Sequence, residues 1–256
     1  GEAAEVPRVQ PRRDERRHAY PDDHGGGLHA DSQVRADADR LTRQVCGNPH
    51  SASPTSSGMT ALVEQTRRAV LDWFNAPPGE YTAVFTANAT GALKHVGESY
   101  PFAPGGRFLL TVDNHNSVNG IREFACAAGA AVDYAPMTFP ELKIDREPLE
   151  TLFTSAAPGA DNLFAFPAQS NFSGVKHPLS LIDEAHAHGW DVLLDAAAYV
   201  PTNRLDLSEV QPDFVTVSFS QMFGYPTGVR YLLLRKAVVG KRQRPGFAGG
   251  TVHFAP

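Results

Sequence analysis

Cysteine is nearly absent. Cys46 and Cys126 are the two in 256 residues, far apart in the chain, so a disulfide scaffold is excluded and a cytoplasmic setting is the expectation. No apolar run approaches the ~20 residues that span a bilayer, so no membrane partner is expected. The first twenty residues are charged and lack an apolar centre, so no secretory leader is expected. Positive charge is in deficit: 23 Lys and Arg stand against 28 Asp and Glu, a net charge of -5. That balance argues against general nucleic-acid binding. Lysine is scarce, at Lys94, Lys143, Lys176, Lys236 and Lys241. There are no internal repeats and no low-complexity tracts. A metal site is not expected, because His186 and His188 fall two apart on a predicted helix and point to different faces.

What is present is a chain of 42% hydrophobic and 20% charged residues, long enough for a sizeable core. Residues 1–19 read as a charged arm, either a solvated tail or an arm that embraces a partner subunit. A loop follows over residues 20–28. Asp31 or Ser32 is placed to cap a helix through about Arg43, and apolar spacing predicts an amphipathic helix over Ser57–Phe74. Strands and helices then alternate. Strands are predicted at Ala83–Phe85, Phe108–Val112, Ala131–Tyr134, Leu163–Phe166, Val192–Leu194, Phe214–Val217 and Tyr231–Leu234. Helices are predicted at Thr90–Ser99, Ser117–Ala128, near Pro148–Phe153, and at Pro178–His188, the last closed by Gly189. Apolar strands alternating with helices imply an α/β fold whose mainly parallel sheet has helices on both faces. In such sheets ligands bind off the carboxyl ends of the strands, and that is where the polar residues concentrate.

Thr86-Ala87-Asn88-Ala89-Thr90-Gly91 joins a strand to a helix whose N-terminus suits a phosphate, although Thr90 could equally be a plain cap. Asp113-Asn114-His115-Asn116-Ser117 closes the next strand; His115 is a candidate proton carrier or a loop histidine bonded to backbone. In Gln169-Ser170-Asn171-Phe172-Ser173-Gly174 the Asn171 amide can donate to an oxyanion or merely close a turn. Asp195 ends the apolar strand Val192–Leu194, where an unpaired carboxylate would be costly. It either serves a ligand or caps a turn. Phe214 to Gly228 reads as a strand followed by a tight loop. Cys126 reads as a core thiol.

Taken together these segments resemble class V aminotransferase-like enzymes dependent on pyridoxal phosphate (PLP), nearest the molybdenum-cofactor sulfurase and cysteine desulfurase branch. The family pattern Ser-Phe-Tyr-Lys-x-Phe-Gly-Tyr-Pro-Thr-Gly aligns with Ser218-Phe219-Ser220-Gln221-Met222-Phe223-Gly224-Tyr225-Pro226-Thr227-Gly228, and Gly47-Asn48-Pro49-His50-Ser51 matches the family's loop near the substrate side. From about Gly47 to Thr251 the motifs fall in the family's order, which is highly specific for fold. The resemblance implies the large domain of the fold type I transferases over residues 20–256, the chain stopping before the smaller C-terminal lobe. It implies Asn88, Ala89 and Thr90 at the cofactor phosphate, His115 stacked on its ring, Asn171 at its phenolic oxygen and Asp195 at its pyridinium nitrogen. Ser218 is implied at the phosphate, and Asn48 and His50 on the substrate side. Gly249-Gly250-Thr251 matches the segment whose threonine reaches the phosphate of the other subunit, implying a homodimer with shared sites.

One departure dominates. Gln221 stands where the family has the lysine that bonds the cofactor, and a side-chain amide is neither basic nor nucleophilic. The expectation is therefore an enzyme that binds PLP or pyridoxamine phosphate (PMP) noncovalently and acts on an amine or amino-acid-like small molecule, in specialised metabolism. Two alternatives stand beside it. One is a PLP-independent acid–base or cyclase-type enzyme that needs no cofactor and uses His115 and Asp195. The other is a non-catalytic partner protein.

Overall fold

The computed structural model describes residues 31–43, 47–223 and 230–241. In chain order the elements are α1 (Asp31–Thr42), α2 (Pro54–Trp73), β1 (Tyr81–Thr86), α3 (Ala89–Ser99), β2 (Arg107–Thr111), α4 (Asn116–Asn119) and α5 (Ile121–Ala127). They continue with β3 (Ala131–Ala135), α6 (Arg146–Thr154), β4 (Asn162–Pro167), α7 (Leu181–Ala187) and β5 (Asp191–Asp195). Last come β6 (Phe214–Ser218), α8 (Phe219–Phe223), β7 (Arg230–Arg235) and α9 (Lys236–Val239).

The seven strands form one sheet in the order β1-β7-β6-β5-β4-β2-β3. β3, β2, β4, β5 and β6 pair in parallel, while β7 runs antiparallel between β6 and β1. Six strands therefore share one direction, and their carboxyl ends open on the same edge. Every residue of β4, β5 and β6 is buried, as expected for strands covered on both faces. Alternate residues feed two cores. Phe164, Phe166, Val192, Leu194, Val215 and Val217 face α2, α6 and α7 through Val70, Phe74, Leu149, Phe153, Leu181 and Ala185. Leu163, Ala165, Leu193 and Phe214 face α3, α5 and α9 through Leu93, Val96, Ile121, Ala125 and Val238.

Local chemistry sets the helix starts. Ser53 caps α2, accepting the Ser56 N–H at 3.3 Å, with Pro54 in the first turn where its missing N–H costs nothing. Gly189, at φ 80°, turns the chain from α7 into β5.

Three expectations are corrected. The helix predicted over Ser117–Ala128 is two, α4 and α5, divided at Gly120, a poor helix former that ends one element and opens the next. The segment after β6 begins as the helical turn α8 rather than a loop. Its Phe219 and Met222, three apart, pack on the core, and the Phe219 ring meets Tyr231 edge-on at 4.0 Å. Cys126 is exposed, not a core thiol; α5 turns Ile121 and Ala125 inward, and the next position points away from the sheet. Cys46 and the loop at 20–28 lie outside the described residues.

Candidate functional site

The carboxyl ends of β1, β2, β4, β5 and β6 surround a cavity of about 160 Å³. That is small against the ~300–1,000 Å³ of drug-sized sites, and it suits a compact ring rather than a polymer. Each wall comes from a strand end.

After β1, the Asn88 side chain caps α3 by accepting the Gly91 N–H at 2.6 Å. The cap is therefore Asn88, not Thr90. Ala89 and Thr90 form the first turn of this eleven-residue helix and line the cavity, where backbone N–H groups and the positive dipole end favour an anion. The Thr90 hydroxyl lies 2.7 Å from that of Ser117, tying α3 to the next loop.

After β2, His115 caps α4 and is exposed at the cavity wall. Its Nδ1 accepts the Ser117 N–H at 3.1 Å. With Nδ1 committed as an acceptor, the neutral ring carries its proton on Nε2. The loop is anchored beneath by Asp113. Asp113 Oδ1 accepts the Thr111 hydroxyl at 2.7 Å, and Oδ2 lies 2.7 Å from His177 Nε2. Both side chains of that pair are almost fully buried. Burial would raise the Asp113 carboxyl, but the bonds from His177 and Thr111 outweigh it and hold the group below the ordinary carboxylate range. Asn114 reaches across the sheet to the Ala165 carbonyl at 3.0 Å.

After β4, Pro167, Gln169 and Asn171 line the cavity. Gly174, at φ 73°, closes a turn by donating to the Ser170 carbonyl at 2.9 Å. The segment is thus a turn as well as a wall. His177, just beyond it, pins this loop to the one carrying His115.

After β5, Asp195 is 9% exposed and lines the cavity. Its Oδ1 accepts the Ala197 N–H at 3.1 Å and the Thr216 hydroxyl at 3.0 Å. After β6, Gln221 on α8 lines the cavity, and its Oε1 is buried with no hydrogen-bond partner among the described residues.

One cavity therefore gathers Asn88, Ala89, Thr90, His115, Asn171, Asp195 and Gln221. Ser218 is fully buried at the end of β6 and is not on the cavity wall. Asn48 and His50 lie beside the start of α2: the Asn48 carbonyl accepts the Ser56 hydroxyl at 2.5 Å, and the His50 N–H donates to Thr60 at 2.8 Å. Neither lines the cavity. Thr251 lies outside the described residues. Lys94 faces solvent and pairs with Glu98 one turn along α3. His186 and His188 go separately to Asp213 and Glu150.

Sequence reasoning missed Ser117 and Gln169 as wall residues, although both sit in motifs that had been singled out. It missed His177 altogether. A lone histidine before a proline gives no signal until the fold sets it against Asp113, sixty-four residues away.

Comparison with known proteins agrees with this geometry. The family model described as Aminotransferase class-V matches residues 23–255. The molybdenum cofactor sulfurase of Arabidopsis thaliana is 39% identical over 265 residues, covering 91% of this chain and 32% of its own. Molybdenum cofactor sulfurase 2 of Culex quinquefasciatus is 39% identical over 244 residues, covering 92% and 30%. The chain spans about a third of the length of these curated relatives. Among solved structures, the apo cysteine desulfurase of Thermococcus onnurineus superposes with a TM-score of 0.76 at 24% identity, over 88% of this chain and 56% of that one. A lysine-to-alanine mutant of C-DES, with glycine covalently linked to its PLP cofactor, superposes at 0.67 with 21% identity, over 83% and 54%. These likenesses establish the fold type I architecture.

Proposed function

The chain belongs to the class V aminotransferase family, and from that premise we propose that its cavity binds PLP or PMP without a covalent bond and acts on an amine or amino-acid-like substrate. The observation that carries this reading is the wall itself. A buried carboxylate at a strand end, a helix N-terminus and a histidine with a fixed tautomer converge on one cavity, and the residue at the family's lysine position, Gln221, is a wall residue too. The donor set fits the cofactor. The α3 N-terminus with Thr90 suits a phosphate; Asp195 suits a protonated ring nitrogen; the Asn171 amide suits a phenolic oxygen.

When bound, the cofactor supplies an electron sink for carbanion chemistry. The chain's own residues do the rest. Asp195, held by Ala197 and Thr216, presents its carboxyl group at the cavity wall. The Asn88 cap and the Thr90–Ser117 bond orient the first turn of α3. Gln221 cannot bond the cofactor covalently or carry a proton. His115 is left as the wall's proton carrier, through Nε2. The sulfurtransfer chemistry named for the relatives would, on this reading, be lost or severely slowed. The C-DES mutant supports the reading, because it is a protein of this fold that holds PLP with a lysine replaced.

The test is an absorbance titration with PLP and, separately, PMP, followed by borohydride and mass spectrometry. Saturable binding with no fixed adduct is the expected result. A fixed adduct would mean that another lysine serves. Absence of binding by either form would leave a cofactor-free acid–base pocket built on His115 and Asp195.

A further inference from the structure

The cavity wall carries neither lysine nor arginine among the described residues, so an anionic oxygen of a ligand is met there by neutral donors. One such donor is fixed from outside the cavity. Asn203, in the segment after β5, has its Oδ1 2.6 Å from Lys176 Nζ. Its Nδ2 lies 3.0 Å from the Tyr199 carbonyl and 2.9 Å from the Thr202 hydroxyl. Lysine only donates and a carbonyl only accepts, so the sense of this amide is set by its partners. The same Nδ2 lies 3.4 Å from the side-chain amide of Gln169 on the cavity wall. A donor at that point requires Gln169 to turn Oε1 toward it, because nitrogen against nitrogen leaves both without an acceptor. Gln169 Nε2 is thus turned the other way. It has no partner among the described residues and, unlike Gln221 Oε1, it is not sealed from solvent.

Resting on the reading that the cavity holds a PLP-type ligand, we infer that Gln169 is a further binding residue, held by Asn203 so that its N–H groups donate to the ligand's phenolic oxygen beside Asn171. The placement follows from the sheet. In the pyridine ring the phenolic oxygen and the phosphate arm lie on opposite sides of the axis through the ring nitrogen. Along this part of the sheet the strand order is β1-β7-β6-β5-β4. A phosphate at the start of α3, after β1, and a ring nitrogen at Asp195, on β5, turn the phenolic oxygen toward the segment after β4. Gln169 lies in that segment, next to Ala168, whose N–H donates to the Asp195 carbonyl at 2.9 Å. Two carboxamides, on Gln169 and Asn171, then share one oxygen, and bonds donated to it favour its ionised form. Asn203 is a positioning residue: it is not on the cavity wall, and it fixes which end of Gln169 is free.

The experiment is calorimetric titration of the purified protein with PMP and with its 3-deoxy analogue, which lacks the phenolic oxygen. It is repeated on Gln169→Leu, Asn203→Ala and Asn203→Asp, with circular dichroism checking that each variant folds. Gln169→Leu should lose about tenfold in PMP affinity and bind the deoxy analogue within about twofold of the parent. Asn203→Ala frees the amide to rotate and should lose about threefold, for PMP alone. Asn203→Asp puts an acceptor against Gln169 and reverses its amide, so the ratio of PMP to analogue affinity should fall further than in Asn203→Ala. The absorbance of bound PMP reads the same contact: its phenol should ionise at higher pH in Gln169→Leu than in the parent. Equal losses for both ligands, or no loss in Gln169→Leu, would overturn the inference while the cofactor reading stands. If the parent binds neither ligand, both fall. Should Gln169→Leu not fold, an unchanged affinity ratio in Asn203→Asp overturns the inference by itself.

Discussion

Strand β5 carries an aspartate at each end, Asp191 and Asp195, and each is 9% exposed. At the amino end Asp191 is bound by the protein itself. Lys241 Nζ lies 2.9 and 3.2 Å from its two oxygens, and the Tyr100 hydroxyl donates to it at 2.8 Å. Burial pushes the Asp191 carboxyl up despite these partners, and burial followed by the nearby Asp191 charge pushes the Tyr100 hydroxyl far up. Next to it Asp213 accepts the Val192 N–H and His186 at 2.8 Å each. At the carboxyl end Asp195 is oriented by an N–H and a hydroxyl, both neutral donors, and opens on the cavity. Equal burial of the same residue type thus occurs in two settings, Asp191 against a lysine and a tyrosine and Asp195 at the cavity wall. The amino end spends a lysine on holding the fold. The cavity end has Gln221 on its wall.

The largest effect should come from making the two ends alike. Gln221→Lys places an amine on the cavity wall, and PLP should change from a ligand removed by dialysis to one fixed by borohydride, seen as a stoichiometric mass increase at that residue. The other end is sharpened by Lys241→Met. Because Lys241 is half exposed, solvent screening limits the pair to about 1 kcal/mol of stability, read as a lower denaturation midpoint with PMP affinity unchanged. Gln221→Lys tests ligand capture and Lys241→Met tests the fold, so a swap of these two outcomes would reverse the assignment of the ends.

Asp113→Asn separates anchoring from binding through pH. The folded Asp113 carboxyl lies below its ordinary value of 3.8. The unfolded chain therefore takes up the proton first as pH falls. The stability this group contributes is complete above the unfolded value and is lost as pH drops through the folded one. In denaturant titrations between about pH 5 and pH 2, the wild type should lose stability with a steeper slope than Asp113→Asn. Matching slopes would mean that the buried pair with His177 carries no net linkage. The smallest effect is expected from Thr90→Val, which removes one neutral hydrogen bond to Ser117. At ~0.5–1.5 kcal/mol it should weaken PMP binding by only a few-fold.

The strands were legible because their apolar runs are bounded by turn residues; all seven fall where the sequence predicts them. The cavity edge was legible for the same reason, since polar motifs follow the strands that deliver them. What the sequence did not carry is pairing across distance. His177 has no local pattern that tells of Asp113, and Lys241 none that tells of Asp191. The antiparallel β7 could not be separated from its parallel neighbours, because a strand buried on both faces reads the same in either direction. The turn α8 was hidden by its serine and the glycine that follows; only the packing of Phe219 and Met222 makes it helical. Asn88, not Thr90, became the cap because its carboxamide oxygen reaches the Gly91 N–H directly.

The central claim is that Asp195 serves a ligand while Asp191 serves the fold. The most direct measurement is a calorimetric titration of PMP into the wild type, Asp195→Asn and Asp191→Asn side by side. An asparagine oxygen can still accept from Ala197 and Thr216, so Asp195→Asn should keep its thermal midpoint and lose at least tenfold in affinity. Asp191→Asn should bind PMP within twofold of the wild type. Equal losses in both variants, or no loss in Asp195→Asn, would contradict the account.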